Sequence, residues 1–564
     1  MFRFRWPTYP HWGLLATAAS LSGLIIAITS VGWLQSMELF ALDQFFRLRP
    51  AETVDPRLLI ITLDEPDINY VGQWPMPDKT LARLLRQVVD AEPRAIGLDM
   101  YRNLPVGQGQ DELIEIFQNT PVLVGVEKVV GQPIGPPSGL DPEHQVGMTD
   151  LVLDHDGTVR RALLIVRAEE GKYKYGLATK LAFNYLAQEQ IYPSLLDEHR
   201  LQLGKATLKR LQPHDGGYAN ADAGGSQMLI NFPSGQTSFE TVSVTAVLEG
   251  QVSAAQMKDR IVLIGATANS LNDFFYTPIT QAEEMPGVFV HAHIVSQLLR
   301  AALDGRPVLH GIPRWGEWLW IVLATHGAGG LIYVFIQRRQ AYRRPHLLTV
   351  IWLLPCLGMG VTALSFGLFT MGLWVPVVAP LVSISLLAVL LLLQQNQQLQ
   401  GLAAFDQLTQ IPNRRSFDEC IGDIITQQTP FTLVLCDVDY FKRYNDTYGH
   451  QAGDRCLAAI AKTLSRGVRQ SDLAARYGGE EFALVLRGTS SAVVKEILTR
   501  IQEAVAALKI LHESSDVSDL VTLSFGVAIV EDLRDVTAKS LIEQADKALY
   551  QAKQQGRNQF WFSH

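Results

Sequence analysis

Residues 12–34, WGLLATAASLSGLIIAITSVGWL, carry no charged side chain and are bracketed by tryptophans. A helix rises about 1.5 Å per residue, so this run can cross a hydrocarbon core of roughly 30 Å. Three more apolar runs follow late in the chain, at 317–336, 347–370 and 373–393. Together they predict four membrane-spanning helices, and the rest of the chain must fold on one side or the other. A cleaved signal peptide is the alternative for the first run. Its small residues, ATAAS, lie at the start of the apolar stretch rather than after it, and the stretch is long for a signal, so it reads as an anchor.

Basic flanks set the orientation. Arg3 and Arg5 precede the first run, and Arg338, Arg339, Arg343 and Arg344 lie between the second and third. Both segments belong on the cytoplasmic side, while the uncharged turn near Met371 and Gly372 belongs outside. Residues 35–316 are then outside, with residues 1–11 and 394–564 inside. His326 falls within a span, where a histidine can be functional, and is read as packing against neighbouring helices or sitting near an end of the span. The four cysteines, Cys356, Cys420, Cys436 and Cys456, all avoid the outer region. That region therefore has no disulfide, and without a CxxC pattern no zinc site is inferred. At 564 residues the chain needs several domains, and its balance of 48 Lys+Arg against 56 Asp+Glu gives no general reason to expect nucleic-acid binding.

The outer region reads as a folded α/β unit. RLLIITLDE (57–65) is a continuous apolar run ending in Asp64 and Glu65, as expected of a buried strand. Leu81, Leu84, Leu85, Val88 and Val89 form a helical stripe with Asp78 as N-cap. AIGLDM, ending near Asp99, and RIVLIGAT (260–267) are further buried strands, and GVFVHAHIVSQLL (287–299) enters another helix. His291 and His293 form an HxH pair, but no further ligands are identifiable. The blocks AIGLDM, LINFPSGQTSFETVSVTAVLEG, RIVLIGATANSLNDFFYTP and MPGVFVHAHIVSQLL resemble, in order, those of the CHASE type 2 family across roughly 40–306. That family is an extracytoplasmic sensory domain usually followed by three transmembrane helices. The resemblance implies signal input and names no ligand.

After the last apolar run, QQNQQLQGLAAFD (394–406) can continue the helix into the cytoplasm, favoured by Leu399, Leu402 and Phe405. A continuous helix would transmit a shift or rotation mechanically. The last domain opens with a buried strand, FTLVLC (431–436), running into Asp437 and Asp439, which share a strand face. RYGGEEFALVL (476–486) reads as strand, tight turn, strand, with glycines that permit positive φ and close approach of a substrate. The turn would bring Glu480 and Glu481 beside the end of the Asp437 strand. Clustered carboxylates repel one another unless a cation joins them, and oxygen ligands of this kind suit Mg²⁺. No GxxxxGK[ST] loop is present, which excludes a P-loop NTPase.

Residues 402–564 resemble the GGDEF family of diguanylate cyclases block by block. FDQLTQIPNRRSFD, DVDYFKRYNDTYGHQAGD, RYGGEEF, TLSFGVA and ADKALYQAKQQGRN match its motifs in order. One departure is Gln410, where the family usually carries glycine; a small effect on the start of the domain is expected. The resemblance implies two GTP condensed to cyclic di-GMP and two pyrophosphate, in a dimer whose two domains each hold one GTP. Asp437, the Val438 carbonyl and Glu480 would ligate Mg²⁺ or Mn²⁺. Glu480 and Glu481 would be catalytic, either one a candidate general base. Asn445 and Asp454 would read guanine, and Lys442, Lys553 and Arg557 would hold phosphates. Lys553 and Arg557 are spaced as one helical turn, which would let both meet one phosphate tail. Gly478, Gly479 and Phe482 complete the signature. Arg469 and Asp472, with Arg500, would form an inhibitory product site for cyclic di-GMP. The alternative is a silent domain of this kind that only binds GTP or cyclic di-GMP.

The predicted fold class is thus multidomain α/β. It comprises a cytoplasmic N-terminus (1–11), a span (12–34), a sensory domain (35–316), three spans (317–336, 347–370, 373–393), a linker helix (394–405) and a cyclase domain (406–564). The last is expected to carry an adenylyl-cyclase-like sheet with antiparallel strands, flanked by helices. The expected setting is a bacterial inner membrane, with a homodimer formed through the cyclase domains, linker and membrane helices.

Overall fold

The structure, a computed structural model, describes residues 11–167, 171–233, 239–280, 283–340, 346–402, 404–488, 490–530 and 536–563. Arg3, Arg5, Arg343 and Arg344 lie outside the described residues. The chain divides into two compact units, Met1–Leu390 and Leu391–His564.

In the first unit, six strands form an all-parallel sheet in the spatial order Glu240–Ser243, Leu58–Leu63, Ile261–Ala266, Ala95–Asp99, Leu123–Glu127, Val146–Met148. Both faces of such a sheet are covered, which is why its strands read as unbroken apolar runs. Leu58, Ile60, Ile261 and Leu263 point into one core, under the helices Leu177–Gln188 and Gly287–Leu299. Leu59, Ile61, Val262 and Ile264 point into the other, under the helix Asp78–Asp90. The expected strands are all present. Asp78 is not the N-cap of its helix: Pro77 holds that position, and the buried Asp78 carboxylate instead accepts a hydrogen bond from Val106 N at 3.0 Å. His293 packs edge-on against Phe232 and Phe239, and His291 reaches Thr149 Oγ1 at 3.1 Å.

Among the described residues, three helices are long and apolar enough to cross a membrane, over Gly13–Ser30, Arg314–Phe335 and Trp352–Thr370. The fourth expected span differs. Leu373–Trp374 pairs in parallel with His310–Gly311 and belongs to the folded domain. The helix begins only at Val378, and its apolar part, Val378–Gln394, is about 26 Å long at 1.5 Å per residue, short of the roughly 30 Å core. Its first turn is held by Glu38, from the helix Gln35–Leu48, whose carboxylate accepts from Val377 N at 2.9 Å and Ala379 N at 2.8 Å. An acidic side chain at a helix start satisfies orphan amides and complements the helix dipole. The helix continues to Leu402.

The second unit carries a five-stranded sheet in the order Leu473–Arg476, Glu481–Arg487, Phe431–Val438, Leu523–Val530, Phe560–Phe562. The first three pairings are antiparallel and the last is parallel. Val434, Cys436, Leu484 and Phe525 face the helices His450–Gly467 and Ser491–Ala506. Leu433, Leu435, Val485 and Ala528 face the helices Arg414–Thr426 and Ala538–Gln554. The last helix lies on the sheet at Gly526, where a Cβ would fall 2.0 Å from Ala545 O, so glycine is the one residue that admits this contact. That packing places the C-terminal end of the helix, with Lys553, beside the end of the Asp437 strand.

Candidate active site

The chain turns between two antiparallel strands at Tyr477–Glu480, and the register sets Asp437 directly opposite Glu481. Tyr477 N and Gly478 N both donate to Glu481 O, closing the turn, and Val438 N donates to Glu480 O at 3.4 Å. Asp437 is buried, and both glutamates are half-buried. Burial pushes the Asp437 carboxyl up to about 6; Lys553 opposes this, and the charges of Glu480 and Glu481 add to it. Burial likewise raises Glu480, with Lys553 lowering it and Glu481 raising it. The carboxylates therefore sense one another electrostatically, as the sequence predicts. One cation already sits among them: Lys553 Nζ lies 2.9 Å from Asp437 Oδ1.

The glycines act differently from expectation. Neither Gly478 nor Gly479 has a positive φ. A Cβ at Gly478 would meet Glu481 Oε2 at 2.5 Å and so would require that carboxylate to move, whereas nothing lies within 4 Å of a Cβ built at Gly479. Phe482 is fully buried and anchors the strand behind the turn.

Arg476, given no role by the sequence reading, organises the turn. Its Nε donates to the Gly478 and Gly479 carbonyls at 3.2 Å each, and its Nη2 to Gly479 O at 2.7 Å. Its Nη1 donates to Asp406 Oδ1 at 2.9 Å, and the same oxygen accepts from Thr409 N and Oγ1. One arginine thus ties the first motif of the domain to the GGEE turn. Its place immediately before the signature was the available signal. Gln410, in that first motif, has φ +57°, the left-handed conformation that glycine adopts most readily.

Asn445 lies on the helix Phe441–Tyr448, and its buried Oδ1 has no hydrogen-bond partner among the described residues. It is held against Gly453, where a Cβ would come within 1.9 Å of it, so Gly453 also belongs to this site. Asp454, the next residue, is exposed, as is Lys442 on the same helix as Asn445. Asp439 is not part of the carboxylate group. It accepts from Thr522 Oγ1, Ser524 Oγ and Asn558 N at 2.7 to 3.1 Å and so anchors the loop carrying Arg557. The expected helical pairing of Lys553 with Arg557 does not occur. The helix ends at Gln554, Gly556 and Arg557 both take positive φ, and the Arg557 guanidinium stands 4.2 Å over the Tyr440 ring.

Arg469 and Asp472 form a tight turn in which Asp472 accepts from the backbone N of Arg469 and of Arg487, each at 3.1 Å. Arg500 donates to Gly467 O at 2.7 Å, which brings it to the same exposed corner.

Among the described residues, no three His, Cys, Asp or Glu side chains are arranged to hold a metal ion. Mg²⁺ is usually held by one or two carboxylates and completes its shell with water and substrate phosphates. Asp437 and Glu480 with the Val438 carbonyl are a donor set of that kind, and the Lys553 ammonium 2.9 Å from Asp437 Oδ1 shows that this carboxylate accepts positive charge.

Two compact α/β units, one built with apolar helices of membrane-spanning length and one with acidic side chains gathered at the ends of two interior strands, define a membrane-helix-bearing, two-module chain. The chain belongs to the CHASE2 family, whose model, described as CHASE2 domain, matches residues 20–331. A second family model, Diguanylate cyclase, GGDEF domain, matches residues 403–559. Diguanylate cyclase A of Treponema denticola is 43% identical over 133 residues, which is 23% of this chain and 35% of that protein. Diguanylate cyclase VdcA of Vibrio cholerae is 38% identical over 166 residues, 29% of this chain and 48% of that protein. The chain thus spans less than half the length of these curated relatives. The solved GGDEF domain of DgcB from Caulobacter crescentus in complex with c-di-GMP is 34% identical, covering 28% of this chain and 96% of that one, with a TM-score of 0.26.

Proposed function

We propose that the chain is a signal-regulated diguanylate cyclase that condenses two GTP into cyclic di-GMP and two pyrophosphate. The observation that carries this is the register: Asp437 stands opposite Glu481, with Glu480 in the adjoining turn and a lysine cation lodged at Asp437. Asp437, Glu480 and the Val438 carbonyl would hold a divalent ion, Mg²⁺ or Mn²⁺. When bound, that ion neutralises phosphate charge and favours ionisation of the attacking 3′-hydroxyl.

The remaining work falls to the chain's own side chains. Asn445 offers its unpartnered Oδ1 to a guanine N–H, and Asp454 accepts from the same edge; adenine presents no such pair of donors. Lys442, Lys553 and Arg557 hold phosphates, and Lys553, whose Nζ lies 2.9 Å from Asp437 Oδ1, stands close enough to the carboxylates to bring a phosphate tail to them. Glu480, whose carboxyl burial raises, receives the hydroxyl proton. Glu481, folded over Gly478, supports the metal site. Each domain holds one GTP, so the in-line attack on an α-phosphate needs two domains face to face. Catalysis is then mainly positioning and charge neutralisation.

Residues 35–316 act as an extracytoplasmic sensor, and four helices cross a bacterial inner membrane, the short fourth one included. The helix Val378–Leu402 carries the signal inward, its first turn gripped by Glu38. Arg469, Asp472 and Arg500 bind cyclic di-GMP as a feedback inhibitor.

The test incubates the full chain in lipid nanodiscs with Mg²⁺ and GTP and looks for cyclic di-GMP by chromatography. Formation by the native chain and its loss in Glu480→Gln is the expected result. Unreacted GTP, even after artificial dimerisation, refutes the cyclase and leaves a nucleotide receptor.

A further inference from the structure

A cavity of about 270 Å³ opens where the helix His346–Thr370 meets the rest of the first unit, lined by Arg49, Glu52, Asn231, Arg300, Arg306 and Thr370 among others. Three guanidiniums share one carboxylate there. Glu52 takes Arg49 Nη2 at 3.2 Å, Arg300 Nη1 at 3.3 Å and Arg306 Nη2 at 2.5 Å. Of the neighbouring acids, Asp55 takes a fork from Arg57 at 2.7 and 3.0 Å and a 3.4 Å contact from Arg300, and Asp304 takes Arg57 at 2.8 Å. Four guanidiniums therefore face three carboxylates, an excess of one positive charge.

This excess is not solvated freely. The Arg49 side chain is 9% exposed and that of Arg306 is 16% exposed. Burial and the charge of Arg306 push Arg49 down to about 10, and burial lowers Arg306 too. Among the described residues Arg306 commits only Nη2 to side-chain bonds, to Glu52 and to Asn231 O, leaving Nε and Nη1 as donors. A planar guanidinium with two unspent donors suits the oxygens of a phosphate.

The location limits the source. Thr370 closes the apolar stretch Trp352–Thr370, and the Arg49 guanidinium lies 5.4 Å over the ring of Phe369. The cavity thus sits at the level where lipid headgroups meet a spanning helix. Its volume is just below the roughly 300–1,000 Å³ of drug-sized ligand sites, a scale suited to a headgroup.

We infer that this cavity binds one phosphate-bearing anion, the phosphodiester of an anionic phospholipid headgroup, whose single charge balances the excess guanidinium. The site joins the end of the helix Gln35–Leu48 at Arg49, the end of the helix Gly287–Leu299 at Arg300, and a spanning helix at Thr370. Lipid composition thereby becomes an input to the sensory domain. The inference rests on the membrane reading but not on the cyclase reading, and its test needs no turnover.

The test is native mass spectrometry of the detergent-solubilised full chain, titrated separately with phosphatidylglycerol, phosphatidylcholine and inorganic phosphate. The native chain should retain phosphatidylglycerol in preference to phosphatidylcholine. Arg306→Gln should retain it about tenfold less, as expected for loss of one charge-assisted contact. Glu52→Gln, which removes the competing carboxylate, should retain it more. Damage to the fold would lower retention in both variants, so opposite directions separate recognition from misfolding. Retention that is equal in all three proteins, or lower in both variants, overturns the inference. Phosphate adducts with the same variant dependence, in the absence of lipid binding, would overturn the headgroup as the source and assign the site to free phosphate.

Discussion

Replacing Arg476 by alanine tests whether the GGEE turn is held from outside or holds itself. The substitution removes a strong 2.7 Å bond to the Gly479 carbonyl, a shared 3.2 Å bond to two carbonyls and an ion pair to Asp406. A hydrogen bond from a charged donor contributes about 1.5 kcal/mol or somewhat more, and a shared one about half that. The Asp406 pair, with side chains 17% and 23% exposed, adds on the order of 0.5 kcal/mol. The turn should lose roughly 2 to 3 kcal/mol of preference for the geometry that presents Glu480. If turnover needs that geometry, kcat falls about 30- to 150-fold. GTP binding, which in the proposed mechanism rests largely on Asn445, Asp454 and the cations, should change little. The assay is initial-rate formation of cyclic di-GMP by the full chain in nanodiscs, beside thermal unfolding. Asp406→Asn is the control, removing only the ion-pair part, and should cost about twofold. Arg476→Ala within threefold of the native rate would refute the reasoning. So would an Asp406→Asn defect as large as that of Arg476→Ala, since the carbonyl contacts would then be idle.

Four further outcomes follow. Gln410→Gly should raise the melting midpoint of the second unit by about 2 to 3 °C, because relief of left-handed strain exceeds the added chain entropy by roughly 0.5–1 kcal/mol; a lower midpoint refutes the strain. Gly526→Ala should destabilise that unit by about 1–3 kcal/mol in urea unfolding, since its Cβ would press on Ala545 O. Asp437 titrates at about 6 in the fold against an ordinary 3.8, so its contribution is fully present below 3.8 and is lost, by about 3 kcal/mol at most, as pH rises through 6. Mg²⁺ needs the ionised form and should raise the melting midpoint at pH 7.5 much more than at pH 5, an effect that EDTA reverses. Glu38→Ala should release the start of the helix Val378–Leu402, seen as faster hydrogen exchange at Val377–Ala379; unchanged exchange there refutes the grip.

Apolar runs of spanning length, strands buried on both faces and ordered motif blocks are local properties, and each was legible in the sequence. Leu58–Leu63 and Ile261–Ala266 could be read as strands because a parallel sheet covered by helices on both sides demands unbroken apolar residues. Asp437, Glu480 and Glu481 could be nominated because RYGGEEF and the neighbouring blocks resemble a known family in order, with the repulsion of clustered carboxylates as the physical reason a cation belongs there. Contacts between residues distant in sequence could not be read in this way. Packing at Gly526 decided that Lys553 rests on Asp437, and left-handed residues after the helix, not helical spacing, decided where Arg557 lies. Strand pairing at Leu373–Trp374 shortened the fourth apolar helix, and a glutamate over three hundred residues away capped it. Hydropathy and periodicity report what a segment must bury, but the partner that buries it, or the charge that meets it, is fixed only when distant segments close on one another.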